Sequence, residues 1–463
     1  MFCTTEKKLA KKNTMNNAQL HFDVVIVGLG KTGLSCVRYL CQQGLNIAVT
    51  DSREAPPELS TIKNEFDSVS LYLGDINSDV LMASDQIILS PGISLEHESV
   101  KQAIAKGIPV VGDIELFCQK ATAPIIAITG SNGKSTVTTL VAEMANKSGL
   151  QVCVGGNLGT PALELLNEPI PDIYILELSS FQLETTFSLN AHASAVLNIS
   201  PDHMDRYDTL DDYIGAKNKI YSGQGLMVLN KDDDVVNGMT DVARTNVFFS
   251  LSTPDKDDFG LIEENEEIYL CKGSEKIITQ NELAIKGQHN TSNALAAMAL
   301  ASSVDVSIEA MADVLKNFKG LEHRCQLVKT INDVSWYNDS KATNIGSCIA
   351  SIKGLCELGD IILIAGGDSK GADLSSLKPV IEEHVKKVLL IGVDAKKLAD
   401  VIKTESLYEF TADMNEAVIR ANKIAEPGNL ILLAPACASL DMYKNYQQRG
   451  NDFVAAINSL EAC

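Results

Sequence analysis

The sequence predicts an α/β protein of three domains, each built on a largely parallel sheet. Three observations carry that expectation. Short apolar runs rich in β-branched residues alternate with helical stretches along almost the whole chain, the rhythm of strands covered by helices. Two of these strands run straight into glycine turns that open helices, at Gly28–Gly33 and Gly130–Thr136. The chain has 463 residues, which at about 150 residues per domain makes room for roughly three.

The first domain is expected over residues 1–112. Its first 21 residues carry Lys7, Lys8, Lys11 and Lys12 but no apolar core, so they read as a loose tail and not as a signal peptide, and Met15 offers an alternative start. Phe22–Val27 is a β-branched strand, the glycine turn leads into a helical run through Gln43, and Leu45–Thr50 is a strand ending at Asp51. Gln86–Ser90 is a further strand. Gly28-x-Gly30-x-x-Gly33, with Asp51 ending the next strand, matches a dinucleotide fingerprint. By itself it points to NAD, and Arg53 to a 2′-phosphate. A helix N-terminus recognises charge and not nicotinamide, so any diphosphate is served equally. A turn kept only for helix–strand packing is also open.

The second domain, residues 113–320, opens on the strand Ile125–Thr129 and the loop Gly130-Ser131-Asn132-Gly133-Lys134-Ser135-Thr136, with a helix to about Lys147. The glycines let backbone amides wrap phosphate oxygens, Lys134 reaches the β/γ-phosphates and the Ser135 hydroxyl suits Mg²⁺. The spacing is GxxGK[ST], two residues shorter than the usual Walker pattern. Further strands are expected at Ile173–Leu178, Ala195–Ile199 and Leu226–Leu229, with short strands over 246–286 and an alanine-rich helix at Asn290–Ser303. Glu177 ends a buried strand, where an acid is costly without a cation or metal beside it. His203 follows the next strand and falls on the same rim, open to a metal role or a structural one. Lys217, in the helix Tyr213–Tyr221, reads by itself as a solvated lysine.

The third domain, residues 321–463, repeats the pattern with strands at Ile361–Ala365, Val388–Ile391 and Leu430–Leu433. Polar turns stand at Trp336–Asn344, Gly366–Asp373 and Pro435–Asp441, with His323-Arg324 at its start. Several such turns at strand ends suggest a second substrate site.

Composition excludes several classes. Thirty-nine basic against 60 acidic residues give a net charge of −21, which argues against nucleic-acid binding through a broad basic surface. No apolar run approaches the roughly 18 residues of a membrane span. Eleven cysteines scattered singly, with no CxxC pair, fit reduced thiols in a cytoplasm.

Taken together the motifs resemble the Mur ligases, ATP-dependent amino-acid-adding enzymes of peptidoglycan synthesis, and among them those that add D-glutamate to UDP-N-acetylmuramoyl-L-alanine. The resemblance runs from about Phe22 to the end. It rests on Gly130–Thr136, Leu176–Gln182, Asp202–Arg206, Gly287–Asn290, Asn338–Asn344 and Ala434–Asp441. It implies a Rossmann-like UDP-binding domain, a central P-loop ATPase-like domain and a Rossmann-like C-terminal domain. Lys31, Thr32, Asp51, Ser52 and Arg53 would line the uridine diphosphate site, displacing the NAD reading. Lys134, Ser135, Glu177 and His203 would hold ATP and two Mg²⁺ ions, Asn157 would lie near the reacting carboxylate, and Lys217 would be carbamylated and join the metal shell. The loop residues 130–136, with Asn290, Asn293, Arg324, Asp339 and Lys341, would contact ATP. Ser179, Thr343, Lys370, Ser439, Leu440 and Tyr446 would contact substrate, the last four the incoming amino acid. Ser369 stands directly before Lys370 where the family often has Asp, which leaves Asp368 without an assigned role. The Asp-Asn-Pro-Arg element of diaminopimelate-adding relatives is absent.

The implied reaction converts the L-alanyl carboxylate to an acyl phosphate, which the amine of D-glutamate attacks. ATP contacts split between Lys134 and residues 324, 339 and 341 can meet only if the third domain closes over the central one. A monomer in the cytoplasm, without membrane insertion, is expected. Rival readings are a sibling ligase adding another amino acid, such as a folylpolyglutamate synthase, an NAD(P) oxidoreductase, which leaves the second phosphate loop unexplained, and a non-catalytic nucleotide-binding scaffold.

Overall fold

The computed structural model describes residues 20–460. Residues 1–19 of the expected tail, with Met15, lie outside the described residues. The chain divides into two compact units, Met1–Asp113 and Ile114–Cys463.

The first unit holds five parallel strands: β1 (Phe22–Val27), β2 (Ile47–Asp51), β3 (Ser70–Leu73), β4 (Ser84–Leu89) and β5 (Val110–Val111), in spatial order β3-β2-β1-β4-β5. Val25, Ile26 and Val27 are fully buried, as both faces of a parallel strand must be. Strand order reverses between β1 and β4, and the Gly28 turn leaves β1 at that switch point, where open α/β sheets bind ligands.

The second unit holds two sheets. The larger has nine strands: β6 (Ile125–Thr129), β7 (Val152–Gly156), β8 (Ile173–Glu177), β9 (Ala193–Val196), β10 (Leu226–Asn230), β11 (Asn246–Phe249), β12 (Phe259–Glu264), β13 (Glu267–Lys272) and β14 (Glu275–Thr279). Their order is β14-β13-β12-β11-β10-β9-β6-β8-β7, parallel from β7 to β12 and antiparallel across β12–β14. β6 is therefore an interior strand, third from the β7 edge, and the ends of its neighbours β8 and β9 flank the loop it feeds. The helix Gln288–Ser302 is buried on nearly every side, and its alanines let it sit close against the sheet and the helix Lys134–Lys147. The smaller sheet has β15 (Gln326–Ile331), β16 (Val334–Asn338), β17 (Ile361–Gly366), β18 (Val385–Ile391), β19 (Tyr408–Phe410) and β20 (Leu430–Leu433), in order β15-β16-β20-β17-β18-β19, with only the β15–β16 hairpin antiparallel. A hydrophobic cluster covers each of its faces.

The alternation of strand and helix is as the sequence predicts. The departures are local. Trp336, Tyr337 and Asn338 are strand residues and not part of a polar turn, with Trp336 fully buried beside Phe453. β3, β5, β7, β15 and β19 escape the sequence reading because they are short or half-buried and lack a sustained apolar run. Among the described residues no helix is long and apolar enough to cross a membrane.

Candidate functional site

In the first unit the glycine turn is fixed by backbone geometry. Gly28 has φ 94°, and a Cβ on Gly33 would lie 2.0 Å from the Gly28 carbonyl oxygen, so the close approach needs glycine at both. The helix Lys31–Cys41 begins at Gly30 with no side-chain cap, leaving its first amides for a ligand. Asp51 accepts from the Leu29 amide at 2.7 Å and from the Arg53 amide and guanidinium at 2.7 to 2.9 Å. Burial pushes its carboxyl up, but these donors outweigh burial and hold it below the usual range. Both oxygens are thus engaged, and the carboxylate ties the glycine turn to the end of β2. Lys31, Thr32, Ser52 and Arg53 stand around the same turn, all at least partly exposed.

In the second unit the loop after β6 turns through Gly130 (φ 152°) and Gly133 (φ 81°). A Cβ on Gly133 would strike the Asn293 side chain at 2.3 Å, which places Asn293 directly over the loop. Asn293 in turn bonds Asn290 at 3.3 Å. The Ser131 amide donates to the Asn198 carbonyl at 2.9 Å and the Asn132 amide to the Asn198 side chain at 2.8 Å, so the end of β9 braces the loop. Lys134 curls back, its Nζ donating to the carbonyls of Gly130 (2.9 Å) and Ser131 (3.0 Å). Burial holds its pKa below the ordinary lysine value.

Glu177, at the end of β8 and 2% exposed, accepts from the Ser135 hydroxyl and from Asn157 Nδ2, the latter at 2.6 Å. Ser135 also accepts from Arg324 Nη2 at 2.5 Å. The third sheet's Arg324 therefore reaches the phosphate loop in this structure. Asn344 Nδ2 donates to Asp202 at 3.1 Å and Ser347 Oγ to Asn132 at 2.5 Å, extending the same junction. Buried Lys217 donates to the Gly130 carbonyl at 2.9 Å and lies over the Tyr213 ring. Burial first, and the nearby Lys134 charge second, push its pKa well below 10.5. The solvated helix lysine that the residues alone suggested is thus corrected: its amine lies under the loop, reaching the Thr129 hydroxyl at the end of β6 at 3.3 Å as well. His203 adopts a left-handed φ of 58° and packs its ring 4.8 Å from Phe181; burial lowers its pKa. Ser179 is less free than expected, since its hydroxyl joins Gln182 in a capping box.

On the third sheet, buried Asp339 accepts from Ser351 and is pushed up to about 6 by burial. Lys341 sits 4.4 Å over the Tyr446 ring and is lowered to about 8, chiefly by burial and then by Arg324 and Lys134. The Thr343 amide donates to the Lys341 carbonyl at 2.7 Å. Asp368 takes a definite part: it accepts the Lys370 amide at 2.8 Å and holds Lys370 at φ 50°. Paired backbone bonds between Asp368 and Ala438 (3.0 and 2.8 Å) bring the Lys370 turn beside Ser439 and Leu440.

The donor set suits hard cations. Ser135 and Glu177 offer adjacent oxygens at the loop, the chemistry Mg²⁺ prefers. Sequence reading missed Asn198, Ser347 and Arg449; each is an ordinary polar residue whose importance comes only from what it touches.

A glycine loop opening a helix, a buried acid beside it and a second α/β sheet reaching that loop through Arg324 have the make-up of a nucleotide-dependent enzyme, and the comparisons with known proteins give its class as an ATP-dependent ligase. Family models match the chain in three consecutive spans: Mur ligase MurD-like N-terminal domain over 22–112, Mur ligase middle domain over 128–301 and Mur ligase glutamate ligase domain over 323–437. The chain belongs to the Mur ligase family. It is 48% identical over 439 residues to a UDP-N-acetylmuramoylalanine–D-glutamate ligase of Nitrosococcus oceani, covering 95% of this chain and 97% of that one. The protein of the same name from Pseudomonas aeruginosa is 47% identical over 442 residues, at 95% and 98% coverage. Among solved structures, the UDP-N-acetylmuramate–alanine ligase of Thermotoga maritima shares the fold at TM-score 0.59 and 17% identity, covering 95% of this chain and 100% of that one. A pseudomurein peptide ligase type C from Methanothermus fervidus does so at 0.59 and 18%, covering 94% and 99%.

Proposed function

We propose that the protein joins D-glutamate to UDP-N-acetylmuramoyl-L-alanine at the expense of ATP, in the cytoplasm and as a monomer, as a step of peptidoglycan synthesis. The observation that carries the reading is the meeting of Arg324 with Ser135, which puts groups of the third sheet on the phosphate loop. Near-full-length identity to ligases of that name supports the choice of substrates.

A carboxylate acylates amines poorly because oxide is a poor leaving group. Transfer of the γ-phosphoryl group of ATP to the L-alanyl carboxylate gives an acyl phosphate. The D-glutamate amine then attacks its carbonyl carbon, and the tetrahedral intermediate expels phosphate to leave the amide. Such transfer needs positioning and charge neutralisation more than covalent help. The amides of 130–136 would cradle the phosphates. Lys134, freed from its carbonyl partners, would neutralise charge on the transferring group. Asn290, Asn293, Arg324, Asp339 and Lys341 would hold the nucleotide, and Asn157 would orient the carboxylate. Lys370, Ser439, Leu440 and Tyr446 would hold D-glutamate, with Ser179 and Thr343 nearby on the substrate path. Lys31, Thr32, Asp51, Ser52 and Arg53 would take the UDP end.

Two Mg²⁺ ions would be held by Ser135, Glu177, His203 and a carbamylated Lys217, supplying charge neutralisation between two anionic reactants. The lowered pKa of Lys217 supports this, since carbamylation needs the neutral amine and dissolved CO₂. Phosphate release with UDP-N-acetylmuramoyl-L-alanine and ATP, screened over single amino acids, tests the whole reading. D-glutamate is the expected acceptor; a different acceptor, or ATP turnover independent of any, would overturn it.

A further inference from the structure

Arg449 is 1% exposed, yet its guanidinium spends its fork on neutral oxygens. Nε donates to Ser340 Oγ at 3.1 Å, Nη2 to the Ser340 carbonyl at 2.9 Å, and Nη1 and Nη2 to the Cys437 carbonyl, each at 3.1 Å. Burying a guanidinium without a bonded carboxylate is costly, so an apolar side chain would suit stability better unless the fork does something else. What it does is join three segments. Ser340 lies between Asp339 and Lys341, and its hydroxyl donates onward to the Tyr446 carbonyl at 2.8 Å. Cys437 lies in the turn that leads to Ser439 and Leu440. Arg449 itself stands one turn into the helix Tyr446–Ser459.

The next residue extends the same knot. The Gly450 carbonyl accepts from Asn338 Nδ2 at 3.1 Å, and that nitrogen is 3.0 Å from His323 Nδ1. A Cβ on Gly450 would lie 2.3 Å from the same ring nitrogen. The His323 carbonyl accepts the Lys341 amide at 3.1 Å, and His323 precedes Arg324. One buried fork thus sets the spacing between the nucleotide-facing turn 339–341 and the residues placed around the incoming amino acid at 439, 440 and 446.

We propose that Arg449 is a positioning residue that registers the acceptor amino acid against the nucleotide side of the third sheet. The inference rests on the D-glutamate ligase reading. A lysine cannot reproduce a planar fork that bonds two carbonyls and a hydroxyl at once. In full-length Arg449→Lys and Arg449→Ala enzymes, catalytic efficiency for D-glutamate should fall about tenfold to a hundredfold, the scale of a small misplacement of reacting groups, with KM for D-glutamate raised more than KM for ATP, whose site keeps its loop and Arg324 contacts. Added guanidinium should restore part of the turnover of Arg449→Ala, but not of Arg449→Lys. A folded variant with wild-type KM for D-glutamate, a loss that merely tracks the unfolded fraction, or failure of both variants to fold would overturn the positioning role. If the wild-type enzyme proves to use another amino acid, the D-glutamate reading fails by itself, and the same comparison is read on that acceptor's KM.

Discussion

The two glycine turns solve the same problem differently. Each follows an interior parallel strand, forces glycine into positive φ and leaves helix amides open. Beside Gly28–Gly33 the buried carboxylate of Asp51 is neutralised by Arg53, and Lys31 stands exposed. Around Gly130–Thr136 three lysines, at 134, 217 and 341, have their pKa values depressed first by burial, with neighbouring cations adding to it. The first turn is electrically settled and suits an anion that is held and left unchanged. The second gathers lysines whose charge burial disfavours and which Glu177 and Asp202 offset only in part, which suits an anion whose charge moves during reaction.

The comparison breaks most sharply at Lys134. Lys134→Ala should lower turnover by about a hundredfold or more while circular dichroism shows the fold intact; near-normal phosphate release would remove the second turn from the chemistry. Lys217→Ala should also lose most activity, with acetate or formate restoring part of it by entering the vacated space. Lys217→Arg should resist rescue, because its guanidinium stays charged and fills the site; wild-type turnover in Lys217→Ala would make the lysine structural. At the first turn, Arg53→Ala should raise KM for the UDP substrate about tenfold, the worth of one charge-assisted contact, and leave the KM for ATP alone. Equal effects on both would erase the division of labour.

The smallest effect concerns stability. Asp339 titrates near 6 in the folded chain against about 3.9 unfolded. The folded state therefore binds more protons between these values, and this group's contribution to stability is lost as pH rises from about 4 through 6. Asp339→Asn should gain in melting temperature relative to wild type across that window and hold the gain at pH 7. A difference flat from pH 4 to 7 would show that Asp339 is ionised throughout.

Legibility followed how local the signal was. Gly28–Gly33 and Gly130–Lys134 could be read directly, because positive φ and close backbone approach restrict the residue type within a few positions. Glu177 could be read because an acid ending an apolar strand contradicts its surroundings. Lys217 could not: its helix is ordinary, and only the tertiary fold brings the amine to the Gly130 carbonyl. Arg449 gave no signal, since nothing in Gln448-Arg449-Gly450 announces that the side chain will be sealed between two turns more than a hundred and about a dozen residues away.

By itself, then, the sequence determined the three α/β sheets, the positions of both glycine turns and the candidate reacting groups along their rims, because alternating apolar runs and glycine geometry are local constraints. Tertiary structure alone decided that Arg324 meets Ser135, that Asp51 is spent on Arg53, and that buried lysines converge on one loop. Those outcomes depend on distances between segments far apart in the chain, and on the desolvation that follows when they pack.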